Sequence, residues 1–279
     1  MWRMRSKQSV IQRHKSSMGT TDEPLLVLAG IAEGSALAWV QTFKNTLQAM
    51  YRIAHYDTQA GYVPRLTDDH AALIVVDGDD AGARYWCATA KASPATRRIP
   101  VFAITENAER RFDLVIAGAD MVLSSAELHK DGTTLINDFA RVLDPEHVKQ
   151  LDCDCKDTLP DLAKQGVEKF NAGEFYPQHD LFEALWMATE SPVRDLYRAI
   201  LQVGVAYYQI ERGNHRGARK MLLRSVQWLS ILPDVCQGID VKALREDSAR
   251  VRFALEHLPE DEIDAFDRGL LQPIKYTDN

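Results

Sequence analysis

Ala72-Leu73-Ile74-Val75-Val76-Asp77-Gly78 is the stretch that decides the fold of the N-terminal half. Its five apolar residues form a continuous run, which is typical of a strand that is buried on both faces of a sheet. Asp77 and Gly78 end the run with a carboxylate and a turn residue. Because functional groups collect at the carboxyl ends of parallel strands, Asp77 is a candidate site residue.

Four further strand patterns surround this stretch, and helical patterns lie between them. The predicted strands are Leu25–Ala29, Tyr51–Tyr56, Ile99–Thr105 and Asp120–Leu123, with helices near residues 35–50, 80–92, 106–117 and 128–142. This alternation predicts an α/β domain with a doubly wound, parallel, five-stranded sheet that is covered on both faces. Thr105 would then lie at the same sheet edge as Asp77.

Residues 24–145 resemble the receiver domain of bacterial two-component response regulators, which has a flavodoxin-like fold. Val75-Val76-Asp77 matches the family's third strand, and Gly118-Ala119-Asp120 matches the run into the fifth. The resemblance implies that Asp77 is a candidate phospho-acceptor and that Thr105 is a candidate switch residue. Receiver-like domains commonly pair through the face built from their last strands and helices, so the resemblance also implies a homodimer.

Two departures from the receiver pattern predict a degenerate domain, which we call a pseudo-receiver. Ala29 and Gly30 stand where the family carries a Mg²⁺-binding acidic pair, and Ser125 and Ala126 stand where it carries a lysine. Phosphoryl transfer to an aspartate needs a divalent cation to offset charge, and a single carboxylate holds octahedral Mg²⁺ poorly. Asp77 is then either a relic or a helix-capping residue, and phosphorylation of Asp77 is the lesser alternative.

The second half of the chain lacks a convincing strand pattern and predicts an all-α bundle of about five helices with short connections. The predicted helices span residues 160–171, 174–189, 192–211, 215–232 and 241–258, with a turn at Pro233–Gly238. The predicted organisation is a disordered basic tail (1–23), the pseudo-receiver (24–145), a linker (146–157), the bundle (158–260) and a C-terminal tail (261–279).

The stretch from His179 to Trp186 carries the most polar face of the bundle. At 100° per residue, His179, Phe182, Glu183 and Trp186 fall on one side of a helix. Burying polar groups among aromatic rings costs roughly 1–3 kcal/mol each unless they find partners. We therefore favour a buried polar network in which His179 and Glu183 bond each other or a neighbour, with Phe182 and Trp186 sealing it.

Gln202, Tyr208 and backbone groups are the candidate partners of this network. The alternatives are a groove for a ligand or partner helix, an acid/base site, or a divalent metal held by His179 and Glu183. Asp180 points about 100° away from His179, so we expect it to flank such a site at most. We assign no cofactor, and a divalent metal is the lesser alternative.

Residues 160–258 resemble an all-helical family known only as domain of unknown function 309. His179-Asp180-x-x-Glu183-x-x-Trp186 matches its His-Glu-x-x-Glu-x-x-Trp signature, with Asp180 in place of the usual glutamate. Gln209 stands where the family often has a histidine, which removes a potential third metal ligand. The family has no established activity, so the resemblance implies a fold and a site but no reaction.

Composition and net charge argue against some classes of function. The net charge of −7 argues against nucleic-acid binding by bulk charge, and no apolar run approaches the length of a membrane span. The four cysteines lack zinc-site spacing. The close pair Cys153 and Cys155 is predicted to be reduced, with a redox-active pair as the lesser alternative, and this favours the cytoplasm. We expect a non-enzymatic regulatory or adaptor protein that acts through a protein partner or self-association. A small metal-dependent or acid/base enzyme acting at His179, Asp180 and Glu183 is the alternative.

Overall fold

The computed structural model describes residues 23–277, so the predicted basic tail lies outside the described residues except for Glu23. Five strands form a parallel sheet in the order β2-β1-β3-β4-β5. They are β1 (Leu25–Ala29), β2 (Arg52–Tyr56), β3 (Ala71–Asp77), β4 (Val101–Ile104) and β5 (Met121–Leu123). The predicted five-stranded parallel sheet is confirmed.

The apolar runs of β1 and β3 place them at the centre of the sheet. Val27 in β1 pairs with Ala54 of β2 and with Ile74 of β3. Successive side chains point to opposite faces, so Val27 and Ile74 enter the core on one face while Leu28 and Val75 enter the core on the other. The strand order changes direction at β1 and β3, and such a switch point is where α/β sheets place their crevices.

Helices cover both faces of the sheet. They are α1 (Ala38–Leu47), α2 (Tyr62–Asp68), α3 (Ala83–Ala92), α4 (Ala108–Ile116) and α5 (Ser125–Phe139). Phe43 of α1 and Ile136 of α5 pack on one face, and Trp86 of α3 and Leu114 of α4 pack on the other. The sequence patterns did not predict α2. The predicted helix at 128–142 begins earlier, because Ser124 and Glu127 form a capping box at its start.

The C-terminal region is helical, as predicted. Its helices are α6 (Pro145–Asp154), α7 (Asp161–Asn171), α8 (Phe175–Ala188), α9 (Arg194–Glu211), α10 (His215–Leu229) and α11 (Val241–His257). Helix α9 is the central one, with residues such as Ile200 and Tyr207 fully buried. Helix α6 occupies most of the range predicted as a linker, because Asp144 caps its start and Leu151 packs into the bundle core.

The bundle also contains strand structure that the sequence patterns did not predict. The predicted turn at Pro233–Gly238 is part of a hairpin formed by β6 (Val235–Cys236) and β7 (Ile239–Asp240), with Gln237 and Gly238 at positive φ in its turn. The C-terminal segment returns to this hairpin, where Ile239 bridges Tyr276. Ile274 is buried, and its backbone bonds the side-chain amide of Asn171.

The prediction that Cys153 and Cys155 are reduced thiols is wrong for Cys155. Cys155, which follows α6, forms a disulfide with Cys236 in β6, while Cys87 and Cys153 are free thiols. The two partners lie 81 positions apart, so no local spacing in the sequence reveals the pair. The disulfide removes the argument that pointed to the cytoplasm, because disulfides persist mainly in oxidising compartments.

The two halves of the chain pack against each other at the β5 edge of the sheet. Phe253 of α11 contacts Phe112 of α4 with ring centroids 5.7 Å apart, and Leu223 and Val226 of α10 join the core beside α5. The guanidinium of buried Arg98, which precedes β4, donates from Nε to the carbonyl oxygen of Ile231 at 2.6 Å. An edge strand exposes unpaired backbone groups, so this packing also protects β5.

The same packing bears on the homodimer implied by the receiver resemblance. The face formed by α4, β5 and α5 is the one through which receivers commonly pair, and α10 and α11 of the same chain cover part of it. A homodimer through this face would have to displace these helices.

Between residues 23 and 277, the structure has no helix with the length and apolarity needed to cross a membrane.

Candidate functional site

Asp77 lies at the carboxyl end of β3, as predicted. Burial raises the pKa of its carboxyl, and the nearby carboxylates of Asp79 and Asp80 raise it further. Its Oδ1 accepts a hydrogen bond from the backbone N–H of Asp79 at 3.1 Å. Asp77 does not cap α3, because that helix begins six residues later and Asp80 accepts the N–H of Gly82 at 2.6 Å.

Thr105 follows β4 and is buried, but its hydroxyl donates to Asp79 rather than to Asp77. The other carboxylate oxygen of Asp79 accepts the backbone N–H of Glu106 at 3.0 Å. The guanidinium of Arg110 donates to the carbonyl oxygen of Asp79 at 2.8 Å. Asp79 therefore joins the loop after β3 to the loop after β4, a role that the sequence patterns did not reveal.

An indole occupies the space beside the residues that replace the acidic pair. A Cβ built on Gly30 would overlap Nε1 of Trp86 and lie 2.9 Å from its Cδ1, so the ring packs directly on the glycine backbone. Trp86 is only 4% exposed and meets Tyr62 edge to face at 4.8 Å between ring centroids. The neighbouring Ala29 is fully buried. This corner of the crevice is therefore apolar and filled.

Helix α5 begins at the position where receivers carry their lysine. Ser125 is its first residue, and its backbone N–H donates to Oε1 of Glu106 at 2.8 Å. A carboxylate thus binds the positive end of the helix here, where a receiver would present an ammonium group. The carboxyl end of the sheet thus contains both predicted residues, Asp77 and Thr105, and Asp79 joins the loops that carry them.

The second candidate site lies on α8. His179 is 8% exposed, and its Nδ1 lies 3.1 Å from Oδ1 of Asp180, whose side chain is 64% exposed. One ligand atom each from His179, Asp180 and Glu183 lies within 4.8 Å of the other two. The short side chain of Asp180, which we expected to flank the site at most, reaches sideways to the imidazole. In the described part of the chain, no other group of three or more histidine, cysteine or carboxylate side chains converges this closely.

The aromatic residues predicted to seal a network around His179 lie elsewhere. Phe182 is fully buried against Gly166 of α7 and stacks on Tyr197 of α9 at 6.4 Å. Trp186 lies under the guanidinium of Arg198, 4.9 Å from its ring centroid. Oε1 of Gln202 is buried and accepts no hydrogen bond in the structure.

Tyr176, which the sequence patterns did not single out, lies next to the imidazole instead. Its ring stacks on His179 with centroids 6.3 Å apart and also contacts the ring of the predicted partner Tyr208 at 5.8 Å. Its spacing of three residues before His179 is the signal that could have identified it. His179 thus lies between a buried helix face and an exposed aromatic ring.

Four residues of α8 form an outward stripe at helical spacing, which we call the α8 stripe: Tyr176, Asp180, Glu183 and Met187. Both apolar ends of the stripe are exposed, with 54% of Tyr176 and 68% of Met187 accessible to solvent. The two carboxylates lie between them. Helix α8 therefore has a buried face and a mixed apolar and acidic outer face, instead of being buried on all sides.

Comparison with known proteins identifies the helical half more closely than the sheet. Residues 163–221, from α7 into α10, match the family described as "Domain of unknown function (DUF309)". A protein of Aquifex aeolicus (strain VF5), described as "Uncharacterized protein", is 23% identical over 86 residues, which are 30% of this chain. The matched segment spans only 26% of that relative's length. The predicted similarity of the helical half to this family is thus confirmed for residues 163–221, the segment that carries the α8 site.

Proposed function

We propose that this chain is a non-enzymatic regulatory or adaptor protein, in which a pseudo-receiver domain is coupled to a helical module. The strand order 2-1-3-4-5 is that of flavodoxin-like sheets and supports the receiver resemblance. The observation that carries the proposal is the indole of Trp86 packed on Gly30, which fills the place of the family's cation site. The sheet then serves as a support for the helices rather than as a phosphoryl acceptor.

The contacts around Asp77 support the same proposal. The proton of the Thr105 hydroxyl is donated to Asp79, so it is not available to a phosphoryl group on Asp77. Asp77, Asp79 and Asp80 do not bring three ligand atoms together as His179, Asp180 and Glu183 do. Without a bound cation, the charge of the transferring phosphoryl group would face three carboxylates, which the single nearby guanidinium of Arg110 does not balance.

The α8 stripe supports an adaptor role because it leaves two large apolar side chains in solvent beside two carboxylates. Tyrosine and methionine are both enriched at protein–protein interfaces relative to the rest of the surface. The packing of α10 and α11 against the β5 edge leaves α8 uncovered by the sheet half. A protein partner, in this proposal, binds along Tyr176 and Met187.

We expect no phosphorylation when the full chain is incubated with acetyl phosphate and Mg²⁺. Intact-mass spectrometry after brief incubation measures the incorporation of one phosphoryl group. The expected result is an unchanged mass for the wild-type chain and for Asp77→Asn, because neither contains a cation site next to residue 77. Stoichiometric incorporation in the wild type that disappears in Asp77→Asn but persists in Asp80→Asn would overturn the pseudo-receiver proposal.

A metal-dependent or acid/base enzyme at α8 is the second candidate, and the convergence of His179, Asp180 and Glu183 favours it. Imidazole and carboxylate ligands lie about 2.0–2.2 Å from zinc, so tetrahedral neighbours are about 3.4 Å apart. A spread of up to 4.8 Å therefore requires only a modest contraction around an ion. These three groups fit a site with one open position, because exposed Asp180 borders solvent.

Metal analysis of the purified chain and of His179→Ala separates the two candidates. The adaptor proposal predicts no stoichiometric metal, and it predicts that the substitution lowers the free energy of unfolding by about 1–3 kcal/mol because it strips a polar partner from the α8 site. The enzyme alternative predicts one equivalent of metal that a still-folded His179→Ala loses. His129→Ala, a substitution of an exposed histidine on α5, is the matched control and should change neither property.

A further inference from the structure

A cavity of about 300 Å³ lies between the two halves of the chain, at the amino-terminal end of β4 and β5. Its sheet-side wall contains the end of α3 and the α4–β5 loop, and its other wall contains α10 and α11. It lies at the opposite end of the strands from Asp77 and outside the α8 stripe. Its volume is at the lower end of the range of small-molecule sites.

Three arginines line this cavity: Arg97, Arg245 and Arg252. Nε of Arg97 and Nε of Arg245 are buried without an acceptor. Arg97 pairs with Asp152 only at 3.6 Å. Arg252 is 5% exposed, and its two terminal nitrogens lie 3.4 Å from the carbonyl oxygen of Asp120.

Arg98 provides the contrast within the same interface. It does not line the cavity, and its guanidinium bonds the carbonyl oxygen of Ile231 at 2.6 Å and both carboxylate oxygens of Asp152. An arginine that only joins the two halves can therefore use all three of its guanidinium nitrogens in hydrogen bonds here. Arg97 differs from Arg98, because its guanidinium has only the 3.6 Å ion pair with Asp152 and 28% of its side chain is exposed. Its terminal nitrogens can therefore donate to a ligand that accepts hydrogen bonds.

The charged side chains that line the cavity indicate whether that ligand carries a positive or a negative charge. Its lining contains five cationic side chains and three carboxylates. Asp120 is already neutralised by Lys91, whose Nζ lies 2.6 Å from Oδ2. Asp234 pairs with Arg245 at 3.3 Å but is 64% exposed, so solvent weakens that attraction. The lining alone therefore has an excess of positive charge, which Asp152 beside Arg97 and Glu256 beside Arg252 offset in part.

An apolar wall accompanies these cations. Leu222, Val226 and Leu229 line the cavity from α10, and Val115 and Ile116 line it from α4. Ile116 is 45% exposed in the structure, which is unusual for so large an apolar side chain at an interface between packed elements. A ligand with an apolar body would cover this wall while its head group meets the arginines.

We propose that this cavity binds a small organic anion, with a phosphate or carboxylate head held by Arg97 and Arg245 and an apolar body packed against α10. Guanidinium groups suit both head groups because their forked donors match two anionic oxygens at once. Arg97 precedes β4 and Arg245 belongs to α11, so the ligand would bond both halves of the chain. Its binding would stabilise their packing, independently of whether the chain is an adaptor or an enzyme.

Titration calorimetry of the full chain at low ionic strength tests this proposal with phenyl phosphate and benzoate as probes. Inorganic phosphate and benzyl alcohol represent the head group and the apolar body alone. We expect at least one aromatic anion to bind at least about tenfold more tightly than either partial probe, because both parts of the site contribute. The preferred aromatic anion identifies the head group.

Arg97→Gln and Arg245→Gln are each expected to weaken binding of that anion by about tenfold or more, as for the loss of a charge-assisted hydrogen bond. Arg216→Gln removes an arginine whose side chain is 82% exposed and lies outside the cavity, and it should leave the affinity unchanged. Arg245 also bonds two backbone carbonyls, so Arg97→Gln keeps the test valid if Arg245→Gln unfolds. Absence of binding by both aromatic anions, or equal affinity in all folded variants, would refute the proposal.

Discussion

Replacing Trp86 with alanine is expected to lower the free energy of unfolding by about 3–5 kcal/mol, the usual cost of removing a large aromatic core side chain. The indole is almost completely buried, packs on the backbone of Gly30 and meets Tyr62 edge to face. Its loss would leave a void between α3 and the crevice of the sheet, and glycine has no side chain that could fill it. Urea denaturation followed by circular dichroism measures the change.

Tyr85→Ala is the matched control for this substitution. Tyr85 precedes Trp86 on α3 and contacts its ring at 5.4 Å, but it is 36% exposed. We expect a clearly smaller loss, since solvent already reaches much of the ring. Equal losses for the two variants would contradict the idea that the indole is the group that fills the crevice. The Trp86→Ala chain should also remain unphosphorylated, because Ala29 and Gly30 supply no carboxylate even when the space is opened.

Most of the sheet was predictable, because β1, β3, β4 and β5 are short apolar runs of the kind that forms strands buried on both faces. Leu25–Ala29 is predicted and observed with the same bounds, and β3 extends the predicted run by one residue at each end. Helix α2 escaped prediction because it has only seven residues, begins after Gly61 at positive φ and contains Pro64. Its stability comes from burying Tyr62 and Leu66, which is a tertiary effect rather than a local one.

At the candidate sites, sequence patterns did not predict the directions of the side chains. A helical wheel gives the directions of Cα–Cβ bonds, so it placed Asp180 away from His179 although the side chain turns back to the imidazole. The wheel also grouped Phe182 and Trp186 with His179, whereas their neighbours on α7 and α9 draw them elsewhere. The departures at Ala29 and Gly30 were visible in the sequence, but the residue that covers them was not, because Trp86 reaches them only through the fold.

Reducing the Cys155–Cys236 disulfide is expected to lower the free energy of unfolding by about 2–4 kcal/mol, the typical contribution of a bond that closes a long loop. The partners are 81 residues apart, so the bond restricts much of the helical half in the unfolded chain. It also fixes the end of α6 against the hairpin, where Gln237 donates its backbone N–H to the carbonyl oxygen of Cys155 at 2.7 Å. Urea denaturation with and without dithiothreitol measures the difference.

Two cysteine variants show whether the effect belongs to this pair. The double substitution Cys155→Ser and Cys236→Ser should be as unstable as the reduced wild type and should not respond to dithiothreitol. Cys153→Ser changes an exposed thiol two residues from the bond and should keep the full response. Equal stability of the oxidised and reduced wild type would mean that the folded chain does not depend on the bond.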